Sequence, residues 1–349
     1  LHFYLTVFFY DRIFLKYPPI KYCPNSMKNH VLVLAAFICI CVSAFKVADH
    51  PGAEISNGII QAKLYLPDNE TGYYRGKRFD WAGVIPSLEY KGHSYFGKWN
   101  QAPYNPELHD AIMGPVEEFV ALDFDEVKPG DTFVKIGVGT LVKPDDKKYA
   151  FATNYKLENG GKWTVKKGKD QVAFTHELKD KSGYGYIYTK TVRLVPGKPE
   201  LVLEHSLKNT GTKAIATSTY NHNFFMIDNE RSNENIRIVF PFDVSGEGTG
   251  FGSIINANGK QLTYAREVKP GDQVFSSGLK GFGSSAKDYD IRIENTKSRA
   301  GVRITCDKPL EKLVYWACPT TSCPEPYIRI AAEPGKEVNW KVNYEFYTL

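Results

Sequence analysis

Beyond residue 160 the chain alternates polar and apolar positions with a period of two. Residues 187–195 read Ile-Tyr-Thr-Lys-Thr-Val-Arg-Leu-Val, and residues 201–207 read Leu-Val-Leu-Glu-His-Ser-Leu. In the second run Leu201, Leu203, His205 and Leu207 share one parity, so His205 is expected on the apolar side of a strand. Such alternation predicts half-buried strands. Similar runs lie at 161–165, 171–178, 214–219, 235–240, 289–295, 301–306, 312–317 and 338–347. Turn signals divide them: Asn159-Gly160, Pro196-Gly197-Lys198-Pro199, Asn258-Gly259, Lys269-Pro270-Gly271-Asp272 and Glu333-Pro334-Gly335. The sequence shows no long amphipathic helix and no short-period repeat. Short strands at this spacing predict an all-β protein, a large antiparallel sandwich. The stretch 45–349 holds no Pro/Gly/Ser-rich linker and reads as one domain.

The N-terminal pattern is different. From Met27, a lysine is followed by the apolar run Val31 to Val42 and the small pair Ser43-Ala44. A positive start, a short apolar core and a small-residue exit predict a signal peptide over 27–44. The run is short for a membrane span, so no stable insertion is expected after its removal. Residues 1–26 precede this methionine and are expected to be an upstream or leader segment outside the fold. The destination is then secreted or periplasmic. Arg12, Lys16, Lys21 and Lys28 against Asp11 account for +3 of the chain's +5, leaving +2 for the rest. That balance argues against nucleic acid as a partner. Cys23, Cys39 and Cys41 fall in the leader. Cys306, Cys318 and Cys323 remain, and Cys318 and Cys323 bracket a short loop where a local disulfide and free thiols are both open. No paired Cys or His spacing suggests a metal site, and no cofactor motif is found. The glycine-rich stretch 245–253 lacks a phosphate-loop ending and reads as a surface loop.

Two segments about a hundred residues apart carry the candidate chemistry. Asn221-His222-Asn223 leads into Phe224-Phe225, and Cys323-Pro324-Glu325-Pro326-Tyr327 lies near the C-terminus. A histidine beside aromatics suits a pocket wall, though a hydrogen-bonded structural histidine fits as well. Prolines on both sides of Glu325 favour an extended backbone that can aim its carboxylate. An exposed loop acid is the plainer alternative. One histidine and one carboxylate are the minimum for moving two protons in concert. The segment 72–81, Gly-Tyr-Tyr-Arg-Gly-Lys-Arg-Phe-Asp-Trp, mixes cations with aromatics. Guanidinium forks and aromatic faces suit sugar hydroxyls and sugar C–H faces, so Arg75 and Arg78 are candidate ligands. Glu107-Leu108-His109-Asp110 and Gly114-Pro115-Val116-Glu117-Glu118-Phe119 gather polar groups in an apolar stretch, and His109 is a further candidate contact.

The order of these segments resembles the aldose 1-epimerase (galactose mutarotase) superfamily, nearest its hexose-phosphate mutarotase branch. Asn221-His222-Asn223-Phe224-Phe225 resembles the family's Asn-His-x-Tyr-Phe, which holds a general acid. Val314-Tyr315-Trp316 with Cys323-Pro324-Glu325-Pro326 is similar to the family's closing Trp … Cys-Val-Glu-Pro, which holds a general base. Tyr74-Arg75-Gly76-Lys77-Arg78-Phe79-Asp80-Trp81 and the run from Leu201 to Gly211 complete the likeness. The resemblance implies a β-supersandwich with a sugar cleft, His222 as acid, Glu325 as base, and Arg75 or Arg78 as sugar-binding arginine. It implies no cofactor, and a small-molecule or oligosaccharide sugar as partner. His109 would stand for the family's second histidine, but its usual His-Gly-Gly reads Leu108-His109-Asp110 here, and the Asp-His segment after the acid is absent. A non-catalytic carbohydrate-binding protein on the same fold is the alternative. Unperturbed pKa values of ~6.5 and ~4.3 would make the pair an imidazolium and a carboxylate between those values.

Overall fold

The computed structural model describes residues 50–349. The segments expected to be leader and signal peptide, with Cys23, Cys39 and Cys41, lie outside them. Two antiparallel sheets carry most of the chain. The larger has ten strands, in spatial order Ile255–Asn258, Gln261–Tyr264, Ile236–Val239, Asp290–Asn295, Ala300–Cys306, Glu337–Thr348, Glu200–Asn209, Gly185–Leu194, Gln171–Lys179 and Lys162–Lys167. The smaller has five: Val274–Ser276, Lys312–Cys318, Thr321–Ala332, Ile215–Asn223 and Pro115–Phe119. A four-stranded sheet (Gly52–Ser56, Ile60–Tyr65, Val84–Tyr90, His93–Ser94) and a three-stranded one (Thr132–Lys135, Gly139–Val142, Leu157–Asn159) complete it. Among the described residues the helical elements are two three-residue 3-10 turns.

The alternation seen in the sequence becomes burial. In Glu200–Asn209, Leu201, Leu203, His205 and Leu207 are buried, and Glu204, Ser206 and Lys208 are not. In Glu337–Thr348, Trp340, Val342, Tyr344 and Phe346 are the buried set. These residues pack with Phe119, Ile328 and Ile330 of the five-stranded sheet in one core between the sheets. The Phe119 ring lies 5.4 Å from Tyr188 and 6.2 Å from Trp340, each edge to face. A second cluster, with Phe79, Trp81, Trp99, Phe133, Phe224 and Cys323, covers part of the outer face of the smaller sheet.

The structure decides three points that the sequence raised. Glu325 is not in a loop: the whole Cys-Pro-Glu-Pro-Tyr segment is part of the twelve-residue strand Thr321–Ala332. Cys306, Cys318 and Cys323 are free thiols. In the hairpin register Cys318 faces Thr321 while Cys323 faces Trp316, so the two thiols stand on different rungs. The stretch 245–253 is an exposed surface loop, as expected, held by isolated bridges of Ser245 to Lys280, Thr249 to Phe275 and Phe251 to Ile255. Gly248 makes the second possible: it has φ of +137°, and a Cβ there would collide with the Phe275 carbonyl.

Candidate functional site

A strand sends alternate side chains to opposite faces. On Ile215–Asn223 this separates two tasks. Tyr220 and His222 point outward into a cleft of about 820 Å³. Asn221 and Asn223 point inward, where their amides donate to Glu117 Oε1 at 2.8 Å and to the Pro324 carbonyl at 3.0 Å. The neighbouring strand adds Glu325 and Tyr327 to the cleft, the next adds Lys312, Val314 and Trp316, and Pro115–Phe119 adds Glu118.

The two segments singled out in the sequence meet here. His222 Nε2 is 3.2 Å from Glu325 Oε1, and both side chains are buried. The His222 ring stacks on Phe224 at 3.9 Å, with Trp316 edge-on at 5.5 Å and Phe79 edge-on at 5.7 Å. Its Nδ1 is buried without a protein hydrogen-bond partner. Burial, and next the charge of Arg78, hold the His222 imidazole well below its usual pKa. Burial lifts Glu325 to about 8; Arg78 and Lys312 oppose the shift and Glu118 adds to it. Both groups are therefore held in their neutral forms near pH 7, whereas unperturbed groups would be an imidazolium and a carboxylate between ~4.3 and ~6.5. In either form the pair holds one proton, with Oε1 and Nε2 3.2 Å apart.

Arg78 is fixed from several sides. Its Nε donates to Glu118 Oε2 at 2.7 Å and one terminal nitrogen donates to Tyr220 Oη at 3.1 Å. The guanidinium carbon lies 4.4 Å and 4.1 Å from the ring centres of Phe79 and Phe151. Burial works against its charge, but Tyr220 and Glu118 outweigh this and keep it ionised. Glu118 has a second cation, Lys135, at 3.1 Å. Burial would raise this carboxyl; Lys135 and Arg78 overcome that and hold it at about 2. His109 also lines the cleft, 3.2 Å from Asp110 and edge-on to Phe151 at 5.5 Å.

Arg75 does not reach the cleft. Its guanidinium donates to the Glu70 carbonyl at 2.7 Å and the Asn69 carbonyl at 3.3 Å, beside a separate shallow depression. Of the two arginines three residues apart, Arg78 faces His222, and Arg75 closes a turn. Sequence reasoning missed Glu118, Lys135 and Tyr220 as its support, although the adjacent acids Glu117 and Glu118 were a visible signal. Those acids divide between the faces. Behind the sheet Glu117 contacts Lys190 and lies 2.8 Å from His205 Nε2. Among the described residues no three His, Cys, Asp or Glu side chains are grouped to hold a metal ion, and no helix is long and apolar enough to cross a membrane.

No protein-family model matches the chain and no curated protein matches it. Solved structures do. A protein from Escherichia coli K12 described as a candidate aldose 1-epimerase is 13% identical, with TM-score 0.53 over 85% of this chain and 99% of that one. A galactose mutarotase-like protein from Clostridium acetobutylicum is 13% identical, with TM-score 0.52 over 86% and 96%. A galactose mutarotase related enzyme from Lactobacillus acidophilus is 12% identical, with TM-score 0.51 over 85% and 97%. The strand order, the packed antiparallel sheets and these likenesses agree: the chain has the galactose mutarotase-like β-supersandwich fold.

Proposed function

We propose that the protein interconverts sugar anomers by acid–base catalysis at His222 and Glu325. The observation that carries this reading is the 3.2 Å approach of these two buried groups on the floor of a cleft whose other side holds a fixed arginine. Ring opening needs one proton taken from the anomeric hydroxyl and one given to the ring oxygen. Glu325 takes the first and His222 gives the second. The C1–O5 bond breaks, C1 turns, and closure on the other face reverses both transfers. The pair ends with the single proton it started with, so no net charge enters or leaves the cleft. Sugar hydroxyls that donate to Glu325 restore some of the solvation lost to burial, which draws the shared proton onto His222. Arg78 binds the sugar, held in aim by Glu118 and Tyr220. Residues 27–44 direct export, and the domain 45–349 acts in the secreted or periplasmic space.

One observation favours a binding protein instead: burial disfavours the ionic forms that the chemistry uses. Polarimetry separates the two readings. Freshly dissolved α-glucose, α-galactose and other α-sugars are followed to equilibrium with and without the protein. The enzyme reading predicts a faster approach for at least one sugar. Binding of a sugar by the native protein with every anomerisation left at the buffer rate would establish the binding reading.

A further inference from the structure

The cleft is larger than one sugar ring requires. A hexose has twelve heavy atoms, and even at liquid water's ~30 Å³ per heavy atom it fills no more than about 360 Å³. The cleft encloses about 820 Å³. Its rim is also unusual. Six large apolar side chains are exposed among the described residues, and three of them, Val120, Phe151 and Phe275, line this cleft at 52%, 48% and 40% exposure. Apolar side chains gathered at one concave site mark a place where something binds.

The two rings stand on different elements around the His222–Glu325 pair. Phe151 lies over the Arg78 guanidinium. Phe275 lies on the edge strand Val274–Ser276, opposite Trp316, whose ring is 5.5 Å from His222. The backbone under Phe275 is fixed on both sides: it pairs with Trp316, and its N–H donates to the Thr249 carbonyl at 3.0 Å. An exposed ring on a fixed backbone loses little freedom when something stacks on it.

We infer that the cleft takes the reducing-end unit of an oligosaccharide, with the next pyranose stacked on Phe275. This rests on the sugar reading of the site. A free anomeric hydroxyl exists in an oligosaccharide only at the reducing end, so that unit must sit at His222 and Glu325. The remaining units then leave through the rim. Their glycosidic bonds are untouched; only C1–O5 of the first ring breaks and re-forms.

Titration calorimetry and anomeric exchange are compared for glucose and galactose against maltose, cellobiose and lactose. At least one disaccharide should bind about tenfold tighter than its reducing-end monosaccharide. Phe275→Ala should bring that ratio down toward one. Phe275 is exposed, so the variant is expected to fold, and Phe151→Ala provides a second rim variant. Equal binding of mono- and disaccharides, or a ratio untouched by Phe275→Ala, overturns the inference even if anomers are exchanged. A disaccharide preference that depends on Phe275, without anomeric exchange, upholds the extended site and overturns the catalytic reading. Failure of all five sugars to bind overturns both.

Discussion

Glu325 and His222 pose a problem of protonation before they pose one of catalysis. Burial raises the one to about 8 and pushes the other well below its usual value, so the pair keeps one proton over a wide range. The profile of kcat/KM, which reports the free enzyme's groups, should therefore stay level from below pH 6.5 up to about pH 8 and fall above it. Unperturbed groups would hold a single proton only between ~4.3 and ~6.5, so a decline starting near pH 6.5 would refute the assigned shifts. Stability gives an independent check. A carboxyl whose folded pKa is raised stabilises fully below its unfolded pKa, and that contribution is lost as pH rises toward the folded value. Glu325→Gln has no proton to lose. Its melting temperature relative to the native protein should rise between pH 5 and pH 9, and a constant difference would mean that Glu325 titrates normally.

At the scale of elements, the sequence was legible where one face of a strand is apolar and the other wet. Glu200–Asn209 and Glu337–Thr348 are of this kind, and their alternation predicted both the strands and the burial of His205. It was not legible where both faces are buried. Pro115–Phe119 is buried at all five positions, yet two of its residues are glutamates, and Thr132–Lys135 is buried throughout and ends in a lysine. Their charges are matched by partners distant in sequence: Glu118 by Arg78 and Lys135, Glu117 by Lys190 and His205. No local pattern announces such a strand. Behind the site, Lys190 also donates to the Ala82 carbonyl at 2.9 Å. Lys190→Met would leave Glu117 buried with its strongest partner gone, a change that typically costs roughly 3–5 kcal/mol. Urea unfolding measures it; a loss under about 1 kcal/mol would show that His205 and Asn221 suffice to hold Glu117.

The whole molecule brings together what the chain keeps apart. His222 and Glu325 meet because Ile215–Asn223 and Thr321–Ala332 are neighbours in the five-stranded sheet, in a register that pairs Tyr220 with Tyr327. Motif likeness anticipated the pair and the class of fold. The choice between Arg75 and Arg78 needed the tertiary structure, because spacing alone does not say which one the loop turns inward. The central claim is that the His222–Glu325 pair exchanges anomers, and magnetisation exchange between α and β anomeric protons tests it most directly. At saturating sugar the native protein should accelerate exchange. His222→Asn and Glu325→Gln should each lower the rate by ~10²–10⁴-fold. The double variant should be little slower than the slower single one, because the two groups act as a unit. Exchange at the buffer rate with the native protein, or at the native rate in either single variant, would contradict the account.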